Sequence, residues 1–104
     1  MDQKTMRVVT QLKSRIAEKY PIRDLRVFGS SARGDLGNGS DIDVLVCLPE
    51  LNRTIEEAIF DIAYDLELEH DCVIDVIAVC EPDIKGRLAS APIFQKVIEE
   101  GIPV

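Results

Sequence analysis

The chain of 104 residues contains no apolar run approaching the roughly 20 residues that a membrane-spanning helix needs. Its N-terminus, Met1-Asp2-Gln3-Lys4, leads straight into an amphipathic pattern and lacks the apolar core and cleavage site of a secretory signal. Both absences point to a soluble, cytoplasmic protein with no membrane partner. Cysteine is sparse: Cys47, Cys72 and Cys80 are an odd number without C-x-x-C spacing, which argues against a disulfide framework or a zinc site. Cys47 and Cys80 fall within or beside apolar strand-like runs, where a thiol behaves as a small hydrophobe. There is one histidine, His70, and no second one to complete a metal site. At the end of a helical pattern it suits the helix dipole instead. Basic residues are also short: 12 Lys and Arg stand against 19 Asp and Glu, for a net charge of −7, and they are scattered. A chain that gripped long nucleic acid by itself would need a Lys/Arg footprint to neutralise phosphates. A nucleotide partner would therefore be a small one, accompanied by metal ions.

What is present is enough to fold. Hydrophobic residues are 46% of the chain and charged residues 30%, which fits one domain over residues 1–104 with a modest core. From Lys4 to Tyr20, apolar residues at Met6, Val9, Leu12, Ile16 and Tyr20 recur at three and four, predicting a helix with one buried face. Pro21 ends it, and Leu25-Arg26-Val27-Phe28 reads as a short strand. The stretch from Gly29 to Gly39 holds four glycines and must bend tightly. Ile42 to Leu48 is nearly all apolar and stops at Pro49, which predicts a central strand covered on both faces.

Thr54-Ile55-Glu56-Glu57 has the form of a capping box opening a second long helix, with Ile55, Ala58, Ile59, Ile62, Ala63 and Leu66 as its stripe. On that helix Glu56, Glu57, Asp61, Asp65, Glu67 and Glu69 read as the exposed face. Val73 to Val79 reads as another buried strand, and Ser90-Ala91-Pro92 starts a last helix closed by Gly101. The order is helix, strand, loop, strand, helix, strand, helix. It implies an α/β (α+β) domain, a small sheet with helices packed on it.

The chemistry is concentrated in two segments. In Ser40-Asp41-Ile42-Asp43, strand alternation puts both carboxylates on one face. At ~6.5 Å and an effective dielectric of ~20, their repulsion costs roughly 2.5 kcal/mol if both stay ionised. A divalent cation between them offsets that cost, and hard oxygen ligands suit Mg²⁺. The second segment, Val73-Ile74-Asp75-Val76-Ile77, puts an aspartate inside an apolar strand, where it should be rare unless paired or bound to metal. If the two strands are neighbours, Asp41, Asp43 and Asp75 meet, and three carboxylates around two ions fit the two-metal scheme. Upstream, Gly29-Ser30 leaves a strand where backbone N–H groups and the Ser30 hydroxyl can hold phosphate oxygens, and Arg33 can offset triphosphate charge. Each piece alone has a bland reading as a turn, a strand end or a solvated face. Two carboxylates inside apolar strands make that reading hard to sustain jointly.

The combined pattern is Gly29-Ser30-x-Ala32-Arg33-Gly34, a loop, Ser40-Asp41-x-Asp43, then Asp75 on a later strand. It resembles the DNA polymerase beta-like nucleotidyltransferase superfamily. In size, and in its ending Ile93-Phe94 … Glu100-Gly101-Ile102, the chain looks like the minimal nucleotidyltransferases, the MNT partners of HEPN proteins. The resemblance implies the nucleotidyltransferase fold, a small mixed sheet flanked by helices. It implies two Mg²⁺ ions, with Mn²⁺ as a substitute, on Asp41, Asp43 and Asp75, the last facing the acceptor hydroxyl. It also implies ATP or another nucleoside triphosphate held at Gly29, Ser30, Arg33 and Ser40, and a HEPN-type toxin as partner. Three functions follow: transfer of a nucleoside monophosphate to a hydroxyl, a binding antitoxin that neutralises a HEPN ribonuclease, or modification of a small molecule in the manner of aminoglycoside nucleotidyltransferases. Length weakens the third, because no second substrate domain remains, although a homo-oligomer could supply one. Three retained carboxylates favour catalysis, since a pure binder gains nothing from repelling aspartates.

Overall fold

The structure of the protein, a computed structural model, describes residues 3–29 and 41–104. The first helix, α1, spans Gln3–Ala17 and buries Thr5, Val8, Val9, Leu12 and Ile16. Val9, Leu12 and Ile16 are as the periodicity indicates, but Met6 is exposed and Thr5 takes its place. On a helical wheel Thr5 lies nearer the middle of the stripe set by Val8, Leu12 and Ile16, whereas Met6 falls at its edge. The helix also stops before Tyr20, which packs against the core as a partly buried residue.

Strands β1 (Asp24–Phe28), β2 (Ile42–Leu48), β3 (Ile74–Cys80) and β4 (Ile102–Pro103) form one mixed sheet in the order β3-β2-β1-β4. β1 runs antiparallel to β2 and β4, and β2 runs parallel to β3. The parallel pair is joined by helix α2 (Arg53–His70), as a crossover between parallel strands requires. Strand alternation sends Leu25, Val27, Ile42, Val44, Val46, Leu48 and Ile74 to one face, where they meet α1 and α2 in the main core. The other face carries Asp43, Leu45 and Cys47 from β2. Leu45 and Cys47 are buried there too, so β2 is covered on both sides as expected of its composition. Helix α3 (Glu81–Lys85) touches β3, and helix α4 (Pro92–Glu100) touches β1.

Several sequence expectations need correction. β3 is an edge strand, not a buried one: only Ile74 is fully buried, and Asp75 is exposed. Helix α2 starts one residue before Thr54, and its cap is Asn52, whose Oδ1 accepts the Ile55 N–H at 2.9 Å. Asn caps as well as Thr, and it leaves Thr54 as an ordinary first-turn residue. Ala58 of the expected stripe is half-buried. His70 does end α2, where its Nε2 lies 3.2 Å from Gln11 Oε1 of α1. Gly101 ends α4, but at φ −70°, not in the left-handed region. Glycine is needed there for space, since a Cβ would strike the Val97 carbonyl oxygen and press on Arg26.

Candidate active site

The candidate site lies where β1, β2 and β3 present one row of residues across the sheet. In the register Phe28 stands opposite Asp43, and Asp43 opposite Asp75. All three belong to the face away from α1 and α2. The parallel register carries the consequence, because a shift of one residue would send Asp75 to the core face. Asp41 immediately precedes β2 and is exposed. Its charge nevertheless acts on both Asp43 and Asp75, so the three carboxyls share this end of the sheet.

The electrostatics show the strain of that grouping. Burial pushes the Asp43 carboxyl up from its ordinary value; the Asp41 charge adds to this, and a hydrogen bond from Asp75 partly opposes it. Asp75 is also displaced upward, first by desolvation, then by its hydrogen bond with Asp41 and the charges of Asp41, Asp43 and Glu67. Both Asp43 and Asp75 are therefore harder to ionise than an ordinary carboxyl in the protein alone.

Gly29 closes the site on the β1 side. It has φ +70°, and a Cβ there would lie 2.6 Å from Oδ2 of Asp43. Both facts demand glycine, and the second shows that the chain leaving β1 passes directly over the carboxylate. Next to them an open cleft of about 350 Å³ is lined by Phe28, Gly29, Asp43, Pro92, Ile93 and Lys96. The wall supplied by α4 has no counterpart in the sequence motif.

The helix pattern places Glu67 on the solvated face of α2, but the structure does not. Glu67 is half-buried, and its Oε2 accepts the Ile74 N–H at 2.9 Å, fastening the start of β3 one residue before Asp75. No local pattern in the helix marks it, because the partner lies across a turn. Asp71 closes that turn in the left-handed conformation (φ 52°), its N–H bonded to the Glu67 carbonyl. Ser30, Arg33 and Ser40, expected to hold the nucleotide, lie outside the described residues.

Two hard-oxygen groups in register and a third within reach are a donor set suited to Mg²⁺ or Mn²⁺. Among the described residues no three His, Cys, Asp or Glu side chains stand arranged to hold an ion as they are. The fit thus rests on the donor chemistry and the shared face. The three carboxyls crowd one another here and would have to rearrange around an ion. No helix among the described residues is long and apolar enough to cross a membrane.

Residues 9–102 match the family described as Nucleotidyltransferase domain. Over 70 residues the chain is 33% identical to the protein adenylyltransferase MntA of Thermococcus cleftensis, covering 60% of this chain and 71% of the relative. A candidate minimal nucleotidyltransferase of solved structure is 28% identical at a TM-score of 0.66, covering 100% of this chain and 97% of that one. A Shewanella oneidensis complex, a tri-AMPylated HEPN toxin with an MNT antitoxin, matches with a TM-score of 0.58 at 20% identity. It covers 96% of this chain and 67% of that chain, a likeness of fold. Because the family match runs from within α1 to β4 and takes in every strand that shapes this sheet end, the chain belongs to the nucleotidyltransferase domain family and is a nucleotidyltransferase.

Proposed function

We propose that residues 1–104 act as one minimal nucleotidyltransferase domain that transfers AMP from ATP to a hydroxyl on a partner protein of the HEPN toxin type. The observation that carries this reading is the alignment of Asp43 with Asp75 across parallel strands, with Asp41 in reach of Asp75. The adenylyltransferase relative supports ATP as the donor. The AMP-modified HEPN toxin held by an MNT antitoxin supports the acceptor class. The net charge of −7 argues against long nucleic acid as a direct partner.

Asp41, Asp43 and Asp75 would hold two Mg²⁺ ions, whose chemistry when bound is to neutralise phosphate charge and acidify the acceptor hydroxyl. The residues of the chain divide the remaining work. Asp43, on a strand buried along its length, is the fixed point of the site. Asp75, exposed on the edge strand, can meet a hydroxyl presented by a macromolecule and accept its proton. The acceptor oxygen bonds to the α-phosphorus as the bond from that phosphorus to the bridging oxygen breaks, and pyrophosphate leaves. Gly29, with Ser30, Arg33 and Ser40 from the sequence motif, is assigned to the triphosphate.

The test is to incubate the chain with a HEPN-type toxin protein, Mg²⁺ and ATP, and weigh both proteins intact. A mass gain of whole AMP units on the HEPN protein that disappears with Asp41→Asn is the expected result. Tight complex formation with no mass change would overturn the transfer and leave a binding antitoxin.

A further inference from the structure

We propose that Lys96 of α4 is a nucleotide-contacting residue, its ammonium receiving the polyphosphate of the nucleoside triphosphate across the cleft from Asp43. The inference rests on the reading of the chain as a user of nucleoside triphosphates. Four observations carry it. Among the described residues that line the cleft beside Gly29 and Asp43, Lys96 is the one cation. Among the described residues it has no ion-pair partner. It stands on α4, on a different wall of the cleft from β2, which carries Asp43. The cleft between them, about 350 Å³, is of the size that small-molecule sites occupy.

The rest of the lining fits the same ligand. Phe28, Pro92 and Ile93 give the cleft an apolar side, and Ile93 is 57% exposed, more than a core residue would be. Pro92 and Ile93 precede Lys96 by four and three positions, so the three share one face of α4. A nucleoside triphosphate has the matching division, an apolar base and sugar edge at one end and a charged tail at the other. The tail belongs near Lys96 because an anion in this acidic chain needs a local cation, and ammonium groups bind phosphate as point charges. Val97, fully buried beside Lys96, anchors the helix so that the cation is held on a fixed wall.

The experiment measures binding calorimetrically with Mg²⁺-ATP, inorganic pyrophosphate and adenosine, for the wild-type chain, Lys96→Ala and Lys96→Arg. Lys96 is exposed, so both variants should keep the wild-type melting temperature. Lys96→Ala should weaken ATP and pyrophosphate by about tenfold, as expected for loss of one charge-assisted contact. Adenosine should change less than about twofold, and Lys96→Arg should restore most of the loss. Equal weakening of adenosine and ATP, or no weakening of either, would overturn the proposal. Failure of the wild-type chain itself to bind Mg²⁺-ATP would overturn the underlying reading along with it, which separates the two.

Discussion

Replacing Gly29 by alanine probes the backbone and the carboxylate of the site together. Gly29 sits at φ +70°, where an L side chain costs about 1–2 kcal/mol. A Cβ there would stand 2.6 Å from Asp43 Oδ2, 3.6 Å from its Cγ and 3.8 Å from its Cβ. Only the end of the carboxylate is struck, so Asp43 must leave its rotamer, at about 0.5–1.5 kcal/mol. For a chain of this size each kcal/mol lowers Tm by about 4–8 °C. Gly29→Ala should therefore lose at least about 6 °C by circular dichroism. Asp43→Ala removes the atoms that the new Cβ meets. In that background Gly29→Ala should cost the backbone part alone, leaving a coupling of about 0.5–1.5 kcal/mol. A wild-type Tm for Gly29→Ala would refute the left-handed requirement. Strict additivity in the double variant would refute the contact with Asp43.

Four further outcomes are expected. Asp43 and Asp75 have folded-state pKa values above the ordinary carboxylate value. Their contribution to stability is thus full below that value and lost as pH rises through the raised ones. The metal-free chain should lose stability as pH rises through and just above the ordinary carboxylate range, and Mg²⁺ should stabilise it more above that range than below it. Asp43→Asn should raise the metal-free Tm and abolish the Mg²⁺ response in thermal melts, so an unchanged response would remove these residues as the ion's site. Glu67→Ala should cost about 1 kcal/mol in chemical denaturation by stripping the Ile74 N–H of its acceptor, whereas Glu67→Gln should keep the bond and lose little. Asn52→Ala should cost about 1 kcal/mol while Thr54→Ala costs less, because Asn52 holds the cap; the reverse order in denaturant titrations would restore Thr54 to that place.

The parts of the fold that were legible in sequence are those fixed by short-range periodicity. The run Ile42–Leu48 announces a doubly covered strand, and Ile55, Ile59, Ile62 and Leu66 announce one face of a helix. In sequence the meeting of Asp43 with Asp75 is only conditional on the two apolar strands being neighbours, and the parallel pairing of β2 with β3 supplies that condition. What escaped depends on contacts distant in the chain. β4 is two residues long and includes Pro103, which a strand tolerates at an edge, and only its pairing with Arg26 and Val27 reveals it. Glu67 looks like any helix-face carboxylate until the turn after α2 brings Ile74 to it. Lys96 carries no signal in its neighbours, since its place is defined by Gly29 and Asp43 across the cleft.

The misreading of β3 bears directly on how the site can work. Apolar composition alone suggested that Asp75 would be enclosed, as Val73, Ile74, Val76 and Ile77 surround it in sequence. An enclosed carboxyl could hold an ion but could not meet a hydroxyl carried on another protein. At the edge of the sheet the two requirements separate. β2, covered on both faces, fixes Asp43 through the packing of Val44 and Leu45. β3 needs only one covered face, through Ile74, so Asp75 stays open to what approaches from outside. Exposure also limits the repulsion that three neighbouring carboxylates would build in a dry interior, because water screens the outermost one. The apolar residues beside Asp75 contribute pairing with β2 and a hold on α2, without burying the group between them. A strand with apolar neighbours and an exposed aspartate is thus what this chemistry requires when the acceptor is a macromolecule. The same reasoning sets a limit on the edge itself. A substitution that covered β3, such as a bulky apolar residue in place of Val73, should leave ATP binding intact while slowing transfer to a protein acceptor. Equal rates toward a protein hydroxyl and toward water in that variant would show that access to the edge is not what selects the acceptor.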